Sequence, residues 1–510
     1  MLAKVFSYGI CGLDAYPVTI EVDVAPGLPS VAIVGLPDNA VKESKERVRA
    51  AVKNSGYEFA ADRITINLSP ADIKKEGPSF DLPIALGLLA ATGQIPLSRL
   101  GDYAFLGELS LDGDIRPIQG ALAVALSIPK GQFQGLVLPT GNGAEAAVTR
   151  QIPVYPIRSL TQAVHFLSCP EPPPALHIDI AGLFSRANQY PVDFSEIKGQ
   201  SHVKRGLEIA CAGGHNVLLV GPPGSGKTML ARRIPTILPD LTEEESLETT
   251  RIHSVMGLVP QEIGLVVTRP FRSPHHTSSD VALVGGGSVP KPGEVTLSHN
   301  GVLFLDELPE FNRSVLESLR QPLEDHHVTV SRASRTSCYP CRFMLVCAMN
   351  PCPCGWFTDP RKACHCNPAQ VQRYLSKISG PLLDRIDIHL EVLSLPPQDM
   401  LGNTGSESSR DIKKRTVQAR GIQLDRLRGS GIYTNAQMSH KQIRKFCNVS
   451  GEGENLLRRA VEELGLSARA YDKVLKVGRT IADMEGKDAV QPEHVAEAIQ
   501  YRCLDRNWWG

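Results

Sequence analysis

The chain has 510 residues, with 54 Lys plus Arg against 54 Asp plus Glu, a length that allows several domains with sizeable cores. The even balance excludes a globally basic surface as the basis of any nucleic-acid binding, though a ring can still confine its basic residues to a pore. No run approaches the ~18 uninterrupted apolar residues of a membrane span, and the strand-like N-terminal alternation is not a signal-peptide layout, so no membrane association and a cytoplasmic location are expected.

Residues 1–168 read as an α+β domain. Residues 18–24 and 64–68 alternate like half-buried strands, and residues 40–54 have helical spacing with Lys and Glu on the wet face. Residues 82–91 form an apolar helix behind the Gly77-Pro78 turn. Residues 105–111 and 115–118 flank Asp112-Gly113, a strong hairpin signal. The run Lys75-Glu76-Gly77-Pro78-Ser79 before an apolar helix resembles the serine motif of the Lon-type protease domain, and residues 107–113 and 116–120 resemble the same fold. A Ser–Lys protease needs a lysine as base for its serine. In that family the lysine lies just after the second stretch, where this chain reads Gly120-Ala121-Leu122-Ala123. Leu122 takes the place of the lysine. The expectation is a Lon-like (S5-like) fold without the protease dyad, with Ser79 as a turn or N-cap residue.

Residues 169–190 open with Cys169-Pro170-Glu171-Pro172-Pro173-Pro174 and read as a stiff linker. Residues 191–395 then carry the phosphate chemistry. Residues 217–220 are a buried strand, and Gly221-Pro222-Pro223-Gly224-Ser225-Gly226-Lys227-Thr228 fits G-x-x-x-x-G-K-[ST]. Such a loop turns backbone amides around phosphate oxygens at a helix N-terminus. Lys227 reaches the β- and γ-phosphates and Thr228 places its hydroxyl on Mg²⁺. The lead-in at 194–200 resembles that of AAA+ ATPases, where it lies against adenine. Residues 302–307 are an apolar strand ending in Asp306 and Glu307. In the context of the P-loop, Asp306 holds the Mg²⁺ shell and Glu307 polarises the attacking water.

Between these motifs lie Arg269-Pro270-Phe271-Arg272-Ser273-Pro274-His275-His276-Thr277 and Gly285-Gly286-Gly287, read as an insert with a mobile loop. The histidine pair suggests a metal, but no further ligands have matching spacing. Residues 328–336 are expected to form a hairpin. Arg332, Arg335 and Arg342 cluster there without acidic neighbours and form a candidate track for a phosphate backbone, against the alternative of a solvated hairpin. Residues 343–350 are the next buried strand. They end in Asn350, at a position suited to orienting water against the γ-phosphate.

Cys352-Pro353-Cys354-Gly355 and Cys364-His365-Cys366 place four of the twelve cysteines in two close pairs. In a reducing compartment such density suits a structural tetrahedral Zn²⁺. His365 can replace one thiol, and the alternative is free cysteines packing a Pro-rich loop. Gly380-Pro381-Leu382-Leu383-Asp384-Arg385-Ile386-Asp387 resembles the arginine-finger segment of the magnesium-chelatase and replicative-helicase branch. Arg385 would reach the γ-phosphate of a neighbouring subunit, or else pair with Asp384 or Asp387 in its own chain. Residues 396–510 begin as a polar connection and continue as helices at 412–427, 456–464, 468–484 and 494–501, an α-helical lid. There Ser467 is an N-cap and Arg469 resembles the sensor-2 residue that contacts phosphate.

As a set, GPPGSGKTML, RPFRSPHH, GVLFLDELPEF, the CPCG–CHC cluster and GPLLDRIDIH span most of the chain. The chain resembles the ComM (YifB) family of magnesium-chelatase-like AAA+ ATPases. That resemblance implies an ATP- and Mg²⁺-dependent hexameric ring that translocates on DNA. It implies a helicase driving branch migration in recombination during natural transformation. The alternatives are a chelatase-type or remodelling ATPase acting on a protein partner, and an ATP-dependent protease, which Leu122 disfavours. A chelatase would need a D-x-S-x-S metal-coordinating module on a partner, and this chain has none.

Overall fold

The structure, a computed structural model, describes residues 1–186, 190–287, 290–332, 335–357, 359, 362–394, 406–464 and 466–502. The chain divides into two compact units: Met1–Ala187 with Thr242–Val267, and Asn188–Leu241 with Thr268–Gly510. Among the described residues no helix is long and apolar enough to cross a membrane.

In the first unit seven strands form one sheet, ordered Ser30–Val34, Arg63–Ser69, Asp14–Ala25, Leu2–Cys11, Tyr103–Phe105, Gly135–Pro139 and Val154–Ile157. Period-2 patterning fixes the register. Ile20 and Val22 pair with Leu68 and Ile66, and all four are buried. Helix Asp81–Ala91 is buried at every position, as its all-round apolar sequence requires. Its first residue, Asp81, accepts 2.7 and 3.1 Å hydrogen bonds from Arg47. The hairpin around Asp112-Gly113 is shorter than its sequence pattern, pairing only Glu108–Leu109 with Ile115–Arg116. Tyr103–Phe105 lies in the large sheet instead, parallel to Gly135–Pro139, because its residues are buried on both faces.

Leu122 is fully buried in an apolar cluster with Val148, Ile180 and Leu265. Its amide donates to Glu145 Oε1 at 3.2 Å, and Asn142 donates to the other carboxylate oxygen at 2.9 Å. Leu265 comes from Thr242–Val267, a stretch between the P-loop and the Asp306-Glu307 strand that nevertheless belongs to the first unit. Helix Glu243–Val255 opens with a Thr242/Glu245 capping box, and its buried face carries Ser246, Thr249 and Thr250. The Thr249 and Thr250 hydroxyls donate to carbonyls one turn back in the same helix, which lets a polar face pack closely.

The second unit holds a five-stranded parallel sheet ordered Phe271–Arg272, Val302–Leu305, Met344–Met349, Val217–Val220 and Ile388–Glu391. Helices Ser409–Arg426, His440–Phe446, Gly451–Leu464, Ala468–Met484 and Pro492–Gln500 follow. The connection at 395–405, including the expected lid boundary at 396, lies outside the described residues. One hydrophobic core joins the sheet to these helices, from Leu219 and Leu230 to Val474, Ile481 and Val495. A buried polar knot lies beside it. Asp483 accepts from Arg426 at 2.8 Å, Arg479 at 2.9 Å and Asn435 at 2.8 Å.

Asp483→Ala would strand Arg479, which is 1% exposed, and should destabilise this unit by about 3–5 kcal/mol in denaturant unfolding. Arg428→Ala breaks only an exposed pair with Asp425 and should cost at most about 1 kcal/mol. Equal losses in the two variants would contradict this reading.

Candidate nucleotide site and cysteine cluster

The strand Val217–Val220 pairs on one side with Met344–Met349 and on the other with Ile388–Glu391. A loop leaving the carboxyl end of such a central strand enters the crevice where parallel α/β sheets bind ligands. Gly226 has φ +92°, a region L-residues avoid, and there it caps helix Lys227–Ile237. The loop amides and the helix N-terminus together make an anion cradle. Ser225 Oγ is buried in that cradle without a hydrogen-bond partner among the described residues, as fits a group that completes itself on a phosphate.

Lys227 Nζ donates to the carbonyls of Gly221 and Pro222 at 2.8 and 2.9 Å and to Asn350 Oδ1 at 3.2 Å. Burial, partly opposed by the Asp306 and Glu307 charges, pulls the ammonium down to about 8. Thr228 Oγ1 donates to Asp306 Oδ2 at 2.7 Å. The structure therefore brings Lys227, Thr228, Asp306 and Asn350 together from three adjacent strand ends. A hydroxyl facing a carboxylate is a donor set for Mg²⁺, which takes oxygen ligands and keeps several waters.

Glu307 has φ +53°, the left-handed region, at a strain of order 1–3 kcal/mol. Its amide donates to Asp306 Oδ1 at 3.0 Å, and its carboxylate lies 3.3 Å from His276 Nδ1. His276 follows Phe271–Arg272, the strand running parallel beside Val302–Leu305. Arg272 fastens that segment through 2.6 and 2.7 Å hydrogen bonds to Glu294. The histidine pair, a metal candidate by sequence, places the His276 ring on Glu307 and His275 Nδ1 2.9 Å from Thr277 Oγ1. Sequence reasoning missed the His276–Glu307 contact; only the adjacency of the two strands signals it.

Arg385 forms an ion pair with Glu324, a partner not among those weighed from sequence. Asp387 instead faces His215 at 3.3 Å and Lys473 at 3.6 Å. Ser467 caps helix Ala468–Met484 by accepting from Ala470 N at 3.2 Å. Arg469 is exposed in its first turn. No hydrogen bond or ion pair joins Arg385 or Arg469 to Lys227, Thr228 or Asp306 among the described residues. The hairpin pairs His327–Arg332 with Arg335–Pro340; the side chains of Arg332 and Arg335 lie outside the described residues. Arg342 sits beyond the hairpin, its guanidinium 5.6 Å from the Tyr433 ring centre.

The sulfurs of Cys352, Cys354, Cys364 and Cys366 all lie within 4.8 Å of one another. Cys352–Cys354, Cys354–Cys364 and Cys352–Cys364 are 3.3, 3.5 and 3.7 Å apart. Tetrahedral Zn²⁺ with Zn–S of about 2.3 Å needs sulfurs about 3.8 Å apart, so the donor set and its size fit the ion. Against burial, amides of Trp356 and His365 pull the Cys354 thiol down to about 6, toward the thiolate that binds metal. The His365 ring does not join the cluster.

A family model described as magnesium chelatase, subunit ChlI, matches residues 193–400. Models described as subunit ChlI of Mg-chelatase and as the ChlI C-terminal part match residues 20–142 and 406–502. Competence protein ComM of Haemophilus influenzae is 44% identical over 510 residues, covering 99% of this chain and 98% of the relative. YifB of Escherichia coli is 44% identical over 516 residues, with the same coverage. Lon protease of Bacillus thuringiensis is 28% identical over 148 residues, 28% of this chain and 18% of that protein. With relatives this similar along nearly its whole length, the chain belongs to the ComM (YifB) family of magnesium-chelatase-type AAA+ ATPases.

Proposed function

We propose that the protein is an ATP-driven, Mg²⁺-dependent hexameric motor that acts on DNA, a helicase promoting branch migration in recombination during natural transformation. The convergence of Lys227, Thr228, Asp306 and Asn350 at one sheet edge carries the ATP half of this reading. The near full-length similarity to a relative named competence protein supports the DNA half.

Loop amides, Ser225 and Lys227 hold the phosphates of ATP. Thr228 and Asp306 would hold Mg²⁺, which would supply charge neutralisation at the phosphoryl oxygens. Glu307 polarises the attacking water once its carboxylate leaves His276, and Asn350 orients that water. Arg385, released from Glu324, serves the γ-phosphate of the neighbouring subunit, and Arg469 contacts phosphate from the lid. Arg332, Arg335 and Arg342 line the DNA path. The four cysteines hold a structural Zn²⁺. The N-terminal domain is a Lon-like fold without protease chemistry, and the protein works in the cytoplasm. The magnesium-chelatase description of the matching family models favours one second reading, a remodelling ATPase acting on a protein partner.

ATP hydrolysis should rise severalfold with single-stranded or branched DNA. Lys227→Ala should abolish nucleotide binding. Arg385→Ala should keep it while losing on the order of 10³-fold in kcat, the scale of an arginine finger in trans. A rate indifferent to DNA would favour the protein-partner reading, and a fully active Arg385→Ala would remove the finger. Unfolded casein should survive incubation with the protein and ATP; cleavage abolished by Ser79→Ala would restore the protease reading.

A further inference from the structure

The cysteine cluster stands directly beside the phosphate loop. Strand Met344–Met349 runs into Asn350, whose Oδ1 accepts from Lys227 at 3.2 Å, and the fully buried Cys352 follows two residues later. Gly355 closes the first knuckle, donating its amide to the Cys352 carbonyl at 3.0 Å. It has φ +83°, and a Cβ added there would stand 2.5 Å from Pro223 Cδ and 3.8 Å from Asn350 Cγ. The knuckle thus rests in contact with the P-loop, and only glycine permits that approach.

The second knuckle leads into a helix that passes beside Asn350. Cys364 and Cys366 lead into Asn367, which caps helix Pro368–Leu375 by accepting from Gln370 N at 2.8 Å. Tyr374 in that helix is mostly buried, and its hydroxyl lies near enough to the Asn350 backbone to feel it electrostatically. Asn350 therefore sits between its strand, the Gly355 turn of the first knuckle and a helix that begins just after Cys366. A divalent cation on four thiolates would join the two knuckles into one rigid piece, whereas four gathered thiols without one repel as they ionise.

Resting on the zinc reading above, we propose that metal bound by Cys352, Cys354, Cys364 and Cys366 positions the P-loop and Asn350, so that nucleotide binding depends on the metal. The cluster is then a positioning element of the ATPase, and loss of its metal disables the motor from within the subunit.

The test uses the full chain. Bound zinc is measured by colorimetric release. Equilibrium binding of a fluorescent ATP analogue is measured before chelation, after chelation and after add-back of zinc, with far-UV circular dichroism alongside. One zinc per chain is expected. Its removal should weaken nucleotide binding about tenfold or more, the scale on which supporting residues affect a site, and add-back should restore it. Gly355→Ala should keep zinc and still lose nucleotide affinity, which decides the matter if the stripped protein unfolds. Purified protein without zinc would overturn the metal reading and this proposal with it. Zinc-free protein, or zinc-loaded Gly355→Ala, with unchanged nucleotide affinity would overturn the positioning role alone.

Discussion

A single ammonium group sets the requirements for the second unit. Lys227 is nearly buried, and an unpaired buried charge is costly. Two loop carbonyls and Asn350 Oδ1 compensate it. Each needs its own support: carbonyls aimed by a tight loop, and an amide set at the end of a neighbouring strand. Parallel pairing of Val217–Val220 with Met344–Met349 supplies that alignment, because it brings both strands to the same edge in register. These three acceptors use all three N–H donors of the ammonium, so at least one of the contacts must be exchanged for a phosphate oxygen when nucleotide binds.

Two groups proposed to take part in hydrolysis are engaged by neighbours in the structure. Glu307 faces His276, and Arg385 is paired with Glu324. Both contacts must open before the proposed chemistry. His276 belongs to the insert, and Glu324 to the helix that precedes the 327–340 hairpin carrying the proposed DNA contacts. The first unit shows the opposite case. Leu122, which stands where the proposed Lon-like reading would require a lysine, is sealed among apolar side chains.

The nucleotide site was legible in the sequence because its chemistry demands fixed residue types at fixed spacing along one strand–loop–helix unit. The cysteine cluster was legible for a similar reason: few other roles gather four thiols in fifteen residues. Contacts made across the fold were not. Glu324 lies 61 residues from Arg385, and no spacing rule relates them. His276 meets Glu307 only because short parallel strands place their ends side by side. Thr242–Val267 was the clearest failure of chain order as a guide. Its helix buries Ser246, Thr249 and Thr250 beside Ile252, a mixed face that gives no clear apolar stripe to show where it packs. The hairpin at Asp112-Gly113 was found but overextended, since alternation cannot tell a hairpin arm from a central strand buried on both faces.

The most direct measurement of motor function is movement of the branch point in a labelled three-strand DNA joint, followed with wild-type protein and with Glu307→Gln in the presence of ATP and Mg²⁺. A DNA motor driven by this site moves the branch with wild-type protein, while Glu307→Gln binds ATP and leaves it stationary. Robust ATP hydrolysis by the wild type without branch movement, or equal movement by Glu307→Gln, would contradict it.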